Sequence, residues 1–299
     1  MSTLKHLISL KDIKTPEIHN LLDKAQSFIN TPPSQDTFKG QTQINLFFEN
    51  STRTRTSFEI AGKKLGMHVV NMNIATSSVK KGETLRDTIL TINAMQPNVI
   101  VIRHNLSGAA KFITDHVDCP VVNAGDGLHA HPTQALLDAL TIRQSKNKIA
   151  GLNIGICGDI LHSRVARSDI ICLSKLGANI RLIAPYTLLP KHLHIESYTN
   201  MKEGLKDLDA IIMLRLQKER MGGAFIPSMR EYAHFYGLNK EKLKYLKEDC
   251  IILHPGPINR NIEISPEVAE CDRSLILNQV SNGVYVRMAV IHTLLEKQI

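Results

Sequence analysis

Ile44-Asn-Leu-Phe-Phe-Glu-Asn-Ser-Thr-Arg-Thr-Arg-Thr-Ser-Phe-Glu59 passes from an apolar run, through a polar turn, into helical spacing. Ile44–Phe48 reads as a buried strand. Phe58, Ala61 and Leu65 recur as they would on one face of a helix. Between them, each position of Ser51-Thr-Arg-Thr-Arg55 carries a hydroxyl or a guanidinium. Strand, hydroxyl-rich turn and helix build an anion site, because the first helical turn offers unpaired N–H groups and the positive end of the macrodipole. Ser51, Thr52 and Thr54 add short donors, and Arg53 adds a planar fork that matches phosphate. Arg53 and Arg55 point about 200° apart around a helix. Arg55 stands four residues before Glu59, which predicts an intrahelical ion pair and leaves Arg53 as the anion ligand. A capped surface helix with a polar first turn is the plain alternative.

Working outward, strand and helix signals alternate. One or two helices are predicted over about 4–30, with a break at Thr31-Pro-Pro-Ser34. After the opening unit come a strand at 69–74, a polar loop at 76–82 and a helix carrying Leu85, Ile89 and Ile92. Val99-Ile-Val-Ile102 has nothing polar in it, which suits the centre of a parallel sheet. A helix near 107–115, a strand at 120–123, a turn at Gly125-Asp-Gly127 and a helix over about 132–144 follow. The second half gives strands at 152–157, 179–184, 210–214 and 250–253, a helix over about 164–176 and a terminal helix over about 283–297. This predicts an α/β fold of two domains, each a mainly parallel sheet flanked by helices, bridged by the helix at 132–144.

Several predicted strands run straight into a chemically loaded loop: Ser51–Thr54, Arg103-His104, His131-Pro-Thr-Gln134, Gly158–Arg164, Arg215-Leu-Gln217 and His254-Pro-Gly-Pro257. Ligands of open α/β sheets bind outside the carboxyl ends of the strands. Arg103 is thus either a surface cation or a second guanidinium for the bound anion. His131 is either a structural N-cap residue or a donor to a carbonyl oxygen, with Gln134 one turn further on. Ser77, Lys80 and Lys81 form either a solvated loop or one that closes over an anion. Arg164, Arg215 and Gln217 are either solvated strand-end side chains or the forks for a substrate with two carboxylates.

Composition narrows the classes. With 43% hydrophobic and 21% charged residues the 299-residue chain is globular, and no run of about 18 apolar residues suggests a membrane span. Five scattered cysteines without Cys-x-x-Cys argue against disulfides and structural zinc, and for a reducing, cytoplasmic compartment. Net charge is +8, yet there is no basic run and no Trp, so nucleic-acid binding is poorly supported. No metal or covalent-nucleophile motif is present. Gly155-Ile-Cys-Gly158 lacks the Gly-x-Gly-x-x-Gly of a dinucleotide loop.

At these residues the chain resembles the aspartate/ornithine carbamoyltransferases over nearly its whole length. Ser51-Thr-Arg-Thr-Arg55 is similar to the signature shared by the superfamily. Lys81-Gly-Glu-Thr84, His131-Pro-Thr-Gln134, Arg215-Leu-Gln-Lys-Glu-Arg220 and His254-Pro-Gly-Pro257 look like the aspartate branch. Thr133 and Pro255 stand where the ornithine branch typically has cysteines.

The resemblance implies transfer of the carbamoyl group of carbamoyl phosphate to the amino group of L-aspartate, a step of pyrimidine synthesis, without a cofactor. Ser51, Thr52, Arg53, Thr54, Ser77 and Arg103 would hold the phosphate. His131, Gln134 and Thr54 would address the carbamoyl group, together with the backbone of Gly256 and Pro257. Lys81, Arg164, Arg215 and Gln217 would hold aspartate. Arg53, Thr54, Lys81, Arg103, His131 and Gln134 would carry catalysis. The peptide before Pro257 would be cis. Residues 1–131, joined by a returning C-terminal helix over 283–299, would bind carbamoyl phosphate, and 132–282 would bind aspartate. Ser77 and Lys81 would come from a neighbouring subunit of a homotrimer, which regulatory chains or a dihydroorotase could join. An ornithine-type enzyme, a non-catalytic anion-binding homologue and a nicotinamide-binding dehydrogenase are the rival readings.

Overall fold

The computed structural model describes residues 4–73, 83–217 and 225–296. The chain forms two compact units, Met1–Leu137 with Val280–Ile299, and Asp138–Gln279. No helix among the described residues is long and apolar enough to cross a membrane.

In the first unit, β1 (Thr42–Phe47), β2 (His68–Asn73), β3 (Val99–His104) and β4 (Val121–Asp126) form a parallel sheet in the order β2-β1-β3-β4. Val99, Ile100, Val101 and Ile102 are completely buried, as a strand covered on both faces requires. The helices are α1 (Thr15–Asn30), α2 (Thr52–Lys64), α3 (Leu85–Ala94), α4 (Ala109–Thr114) and α5 (Pro132–Lys146).

Residues 4–14, predicted helical, are not. Pro16 sits in the first turn of α1, where its missing N–H costs nothing; a turn further upstream would be broken by it. Leu7 instead pairs along the edge of β4, donating to Val121 O at 2.8 Å and accepting from Asn123 N at 2.8 Å. The expected Arg55–Glu59 pair is also absent. Glu59 takes Lys63 Nζ at 2.6 Å and Asn71 Nδ2 at 2.9 Å. Gly125 and Asp126, expected in a turn, are the last residues of β4.

In the second unit, β5 (Asn153–Cys157), β6 (Asn179–Ile183), β7 (Glu196–Tyr198), β8 (Ala210–Met213) and β9 (Ile251–Leu253) form a parallel sheet in the order β7-β6-β5-β8-β9. Its helices are α6 (Arg164–Lys175), α7 (Met201–Gly204), α8 (Met229–Tyr236), α9 (Pro266–Ala269) and the start of α10 (Ile276–Leu295). Among these, β7 and α8 escape a periodicity search. No residue of β7 is buried, and α8 buries only Tyr232.

The division between the units falls inside α5 and α10 rather than at a linker. The last turns of α10 return to the first unit, as the family resemblance implies. Lys24 Nζ meets Glu296 Oε2 at 2.6 Å, and the His292 ring lies 5.3 Å from both Phe28 and Phe38. The helix starts at Ile276 rather than at Gly283. Gly283 lies inside the helix, where an added Cβ would meet Arg287 Nη1 at 2.5 Å and Leu137 Cδ2 at 3.2 Å.

Burial holds the imidazoles of His6, His104 and His292, all in the first unit, below their usual 6.5. The folded state therefore binds fewer protons than the unfolded chain between those depressed values and 6.5, so stability falls as pH drops through that window. Thermal unfolding from pH 8 to pH 5 should show a midpoint that declines below about pH 6.5. A midpoint that stays flat there would contradict it.

Candidate active site

In the first sheet the chain runs from β1 outward to β2, then crosses to the other side of β1 for β3. The topological switch point, where open α/β sheets leave a crevice at their carboxyl edge, lies between β1 and β3. Beyond β1, Ser51 is the N-cap residue of α2, and its side chain makes no cap hydrogen bond. Thr54 is buried, Ser51 half-buried, and Thr52 and Arg53 are exposed. Phe47 is level with Arg103 on β3, and Phe48 N donates to Arg103 O at 2.9 Å.

Arg103 is held by acceptors from three segments of the chain. Its Nε donates to Glu49 Oε2 at 3.0 Å, and Nη1 donates to Ala124 O at 3.3 Å and Thr54 Oγ1 at 3.5 Å. The guanidinium is thus fixed beside the opening of α2 and joined to β4 and to the segment after β1, with Glu49 balancing its charge.

The link from β4 to α5 is built around Asp126, which is completely buried. Its Oδ1 accepts from Asn123 Nδ2 at 2.8 Å and Ala130 N at 3.1 Å, and its Oδ2 accepts from Gly108 N at 2.8 Å. His129 Nδ1 lies 3.0 Å from Oδ2. Burial would raise this carboxyl's pKa, but the His129, Asn123 and Gly108 donors outweigh it and hold the group below its usual 3.8. His131 is the N-cap residue of α5, its carbonyl accepting from Gln134 N at 3.0 Å and Ala135 N at 3.4 Å. His131, Thr133 and Gln134 are all buried.

The second sheet repeats the device. The chain runs β5, β6, β7, then returns past β5 for β8, so its switch point lies between β5 and β8. Asp159, completely buried, spans the two loops there. Its Oδ1 accepts from His162 N at 3.2 Å and lies 2.8 Å from His162 Nδ1, while Oδ2 accepts from Gln217 N at 3.1 Å. Arg164 opens α6 and is buried. Arg215 and Gln217 are partly buried and clasp each other, Arg215 Nη2 to Gln217 Oε1 at 3.4 Å and Gln217 Nε2 to Arg215 O at 3.3 Å.

Beyond β9, Gly256–Pro257 is a cis peptide, as expected. Gly256 N donates to His254 Nδ1 at 2.8 Å, so the ring proton sits on Nε2, which faces Glu263 Oε1 at 3.3 Å. Glu263 Oε1 also accepts from Asn259 N at 2.6 Å, which closes the loop on itself.

Within the first unit Thr54 and Arg103 are in contact, and His131 and Gln134 open the helix after the neighbouring strand. Within the second, Arg164, Arg215 and Gln217 lie on the loops that Asp159 ties together. Ser77, Lys80 and Lys81 fall outside the described residues. Sequence reasoning missed the carboxylates Glu49, Asp126, Asp159 and Glu263. A search for anion ligands looks for cations and hydroxyls, but each cation needs something to hold it. For Glu49 and Asp159, each two residues beyond a strand and among such groups, that placement was the available signal.

A family model described as aspartate/ornithine carbamoyltransferase, carbamoyl-P binding domain, matches residues 5–144, and one for the Asp/Orn binding domain of the same family matches 150–294. The chain belongs to the aspartate/ornithine carbamoyltransferase family. Among carbamoyltransferases, the aspartate carbamoyltransferase catalytic subunit of Bartonella tribocorum is 55% identical over 99% of this chain and 94% of that one. A crystal structure of aspartate transcarbamoylase from Trypanosoma cruzi in complex with carbamoyl phosphate and aspartate superposes with a TM-score of 0.87 at 30% identity, covering 97% of each chain. Ornithine carbamoyltransferase from Pyrococcus furiosus gives 0.87 at 25% identity, covering 98% of this chain and 97% of that one. The two branches share this fold, so the backbone alone does not choose between their amine substrates.

Proposed function

We propose that this carbamoyltransferase is an aspartate carbamoyltransferase. It moves the carbamoyl group of carbamoyl phosphate to the amino group of L-aspartate, giving N-carbamoyl-L-aspartate and phosphate for pyrimidine biosynthesis. The observation that carries this reading is the presence of two different half-sites, each at a topological switch point. Hydroxyls, a helix N-terminus and Arg103 stand at the first, and Arg164, Arg215 and Gln217 at the second. The high identity to a named aspartate carbamoyltransferase supports it as well.

In this mechanism Ser51, Thr52, Arg53, Thr54 and Arg103 hold the phosphate, which competes with Glu49 for Arg103. His131, with Gln134 and Thr54, donates to the carbonyl oxygen as charge builds there. The amine lone pair attacks the carbonyl carbon, the carbon–oxygen bond to phosphate breaks, and the leaving phosphate carries off the proton that the nitrogen gives up. Gly256 and Pro257 present backbone to the carbamoyl group. Arg164, Arg215 and Gln217 take the aspartate carboxylates with charge-assisted forks, where an ornithine side-chain amine would want a carboxylate instead. No covalent step is required. Holding two anions in reacting geometry can supply roughly 7–11 kcal/mol. Residues 1–131 with 283–299 would then be the carbamoyl phosphate domain and 132–282 the aspartate domain. Ser77 and Lys81 would complete the site from the next subunit of a homotrimer. Five free cysteines, four of them buried, suit the cytoplasm.

Labelled carbamoyl phosphate offered with aspartate and ornithine side by side tests the reading. Carbamoyl-aspartate and no citrulline are expected, and equal turnover of ornithine would refute it. Light scattering should give the mass of a trimer. Arg53→Ala should lower kcat by about 10²–10³, on the scale of losing one oxyanion donor; a near-normal rate would remove Arg53 from the site.

A further inference from the structure

We infer that Asp126 is a positioning residue for His131, fixing where that imidazole stands relative to the substrate carbonyl and to Arg103. The inference rests on the carbamoyl-transfer reading above. Residue 130 is bound to residue 126 from both sides: Asp126 N donates to Ala130 O at 3.1 Å, and Ala130 N donates to Asp126 Oδ1 at 3.1 Å. The next residue is His131, and its own carbonyl is locked by the first amides of α5. The backbone that carries the imidazole is therefore clamped between one carboxylate and one helix end.

The same carboxylate reaches the loop that follows Arg103. Oδ2 takes Gly108 N at 2.8 Å, and Gly127 N, next in sequence to Asp126, donates to His104 O at 3.0 Å. The strand pair agrees, since the β3–β4 register shifts between Ile102 and His104 and resumes with His104 opposite Asp126. The loops after β3 and β4 are thus referenced to one buried group, and its loss would let His131 shift while Arg103 stays held by Glu49, Thr54 and Ala124. A misplacement of about 1 Å at a reacting centre can cost about a hundredfold.

Asparagine is the informative substitution. It keeps one acceptor, enough for Ala130 N, but turns an NH₂ toward Gly108 N or Ala130 N, donor against donor. Alanine removes every side-chain bond of residue 126 and keeps the backbone bond to Ala130 O.

The experiment is steady-state kinetics on D126N, D126A, H131A and the D126N/H131A double variant. Thermal unfolding serves as a folding control, and calorimetric binding of inorganic phosphate as an independent readout. D126N should lower kcat by about ten- to a hundredfold, with D126A lower still, while both KM values and phosphate affinity stay within about threefold, the signature of an interaction realised in the transition state. In the H131A background the D126N change should cost less than about twofold, because two residues acting as one unit are not additive. Equal losses in both backgrounds, or phosphate binding that weakens in step with kcat, would make Asp126 a general scaffold and overturn the inference. So would wild-type kcat in D126N. If H131A is impaired and D126N is not, this inference fails alone; if H131A turns over normally, the assignment of His131 fails and takes the inference with it.

Discussion

With Arg103 replaced by alanine, kcat should fall by about 10²–10³ and phosphate binding should weaken. The Arg103 guanidinium is fixed beside the opening of α2 through Glu49, Thr54 and Ala124. Removing it deletes a charge-assisted donor at the phosphate and leaves the Glu49 carboxylate, only 20% exposed, facing the incoming anion with that guanidinium gone. Like charges at that range oppose binding, so KM for carbamoyl phosphate should rise as kcat falls. Arg103→Lys should recover only part of the loss, because an ammonium cannot serve Glu49, Thr54 and Ala124 O with the spread of a planar fork. Steady-state kinetics and phosphate calorimetry on both variants decide the matter. An alanine variant with unchanged kcat/KM would place Arg103 outside the reaction.

Asp159→Ala should act on the other substrate. Asp159 is completely buried and accepts from the loops after both β5 and β8. Without it, Gln217 N–H and the His162 amide lose their acceptor, at about 1–3 kcal/mol for each buried group left unsatisfied. The Arg215–Gln217 segment is then free to leave its place. At about 1.4 kcal/mol per factor of ten, KM for aspartate should rise by about ten- to a hundredfold. KM for carbamoyl phosphate should stay close to wild type, since the phosphate-type groups lie in the first unit. Asp159→Asn should fall between the two, because its single oxygen can serve His162 or Gln217 but not both. An alanine variant with a normal aspartate KM would show that the Asp159 bridge is incidental. A variant in which both KM values rise together would show that it supports the whole chain.

The contrast between correct and missed expectations follows from where information is stored. Val99–Ile102 and the switch into Ser51–Thr54 were legible because a fully buried strand admits nothing polar and an anion-binding helix start needs donors; both are local conditions. Residues 4–14 carry apolar spacing but form no helix, because Pro16 decides where α1 can begin. The four-residue spacing of Arg55 and Glu59 permits a pair, but Lys63 and Asn71 take the carboxylate. A carboxylate goes to the donor in the better place, and Asn71 is brought there by β2, twelve residues away. Strand β7 and helix α8 were overlooked because each buries too little to leave a period.

The order of residues along this chain settled the strand–helix alternation, the parallel class of both sheets, the loops that hold the cations and hydroxyls, and membership of a family. All of these depend on short-range spacing and on which residue types a buried strand or a helix start can tolerate. Folding alone chose which neighbours those groups have. Glu49 meets Arg103 from 54 positions away, Asp159 meets Gln217 from 58, and Asp126 meets Gly108 across the ends of two strands. Such partners are selected by sheet order and register, which place carboxyl ends side by side, and no window along the sequence contains that distance.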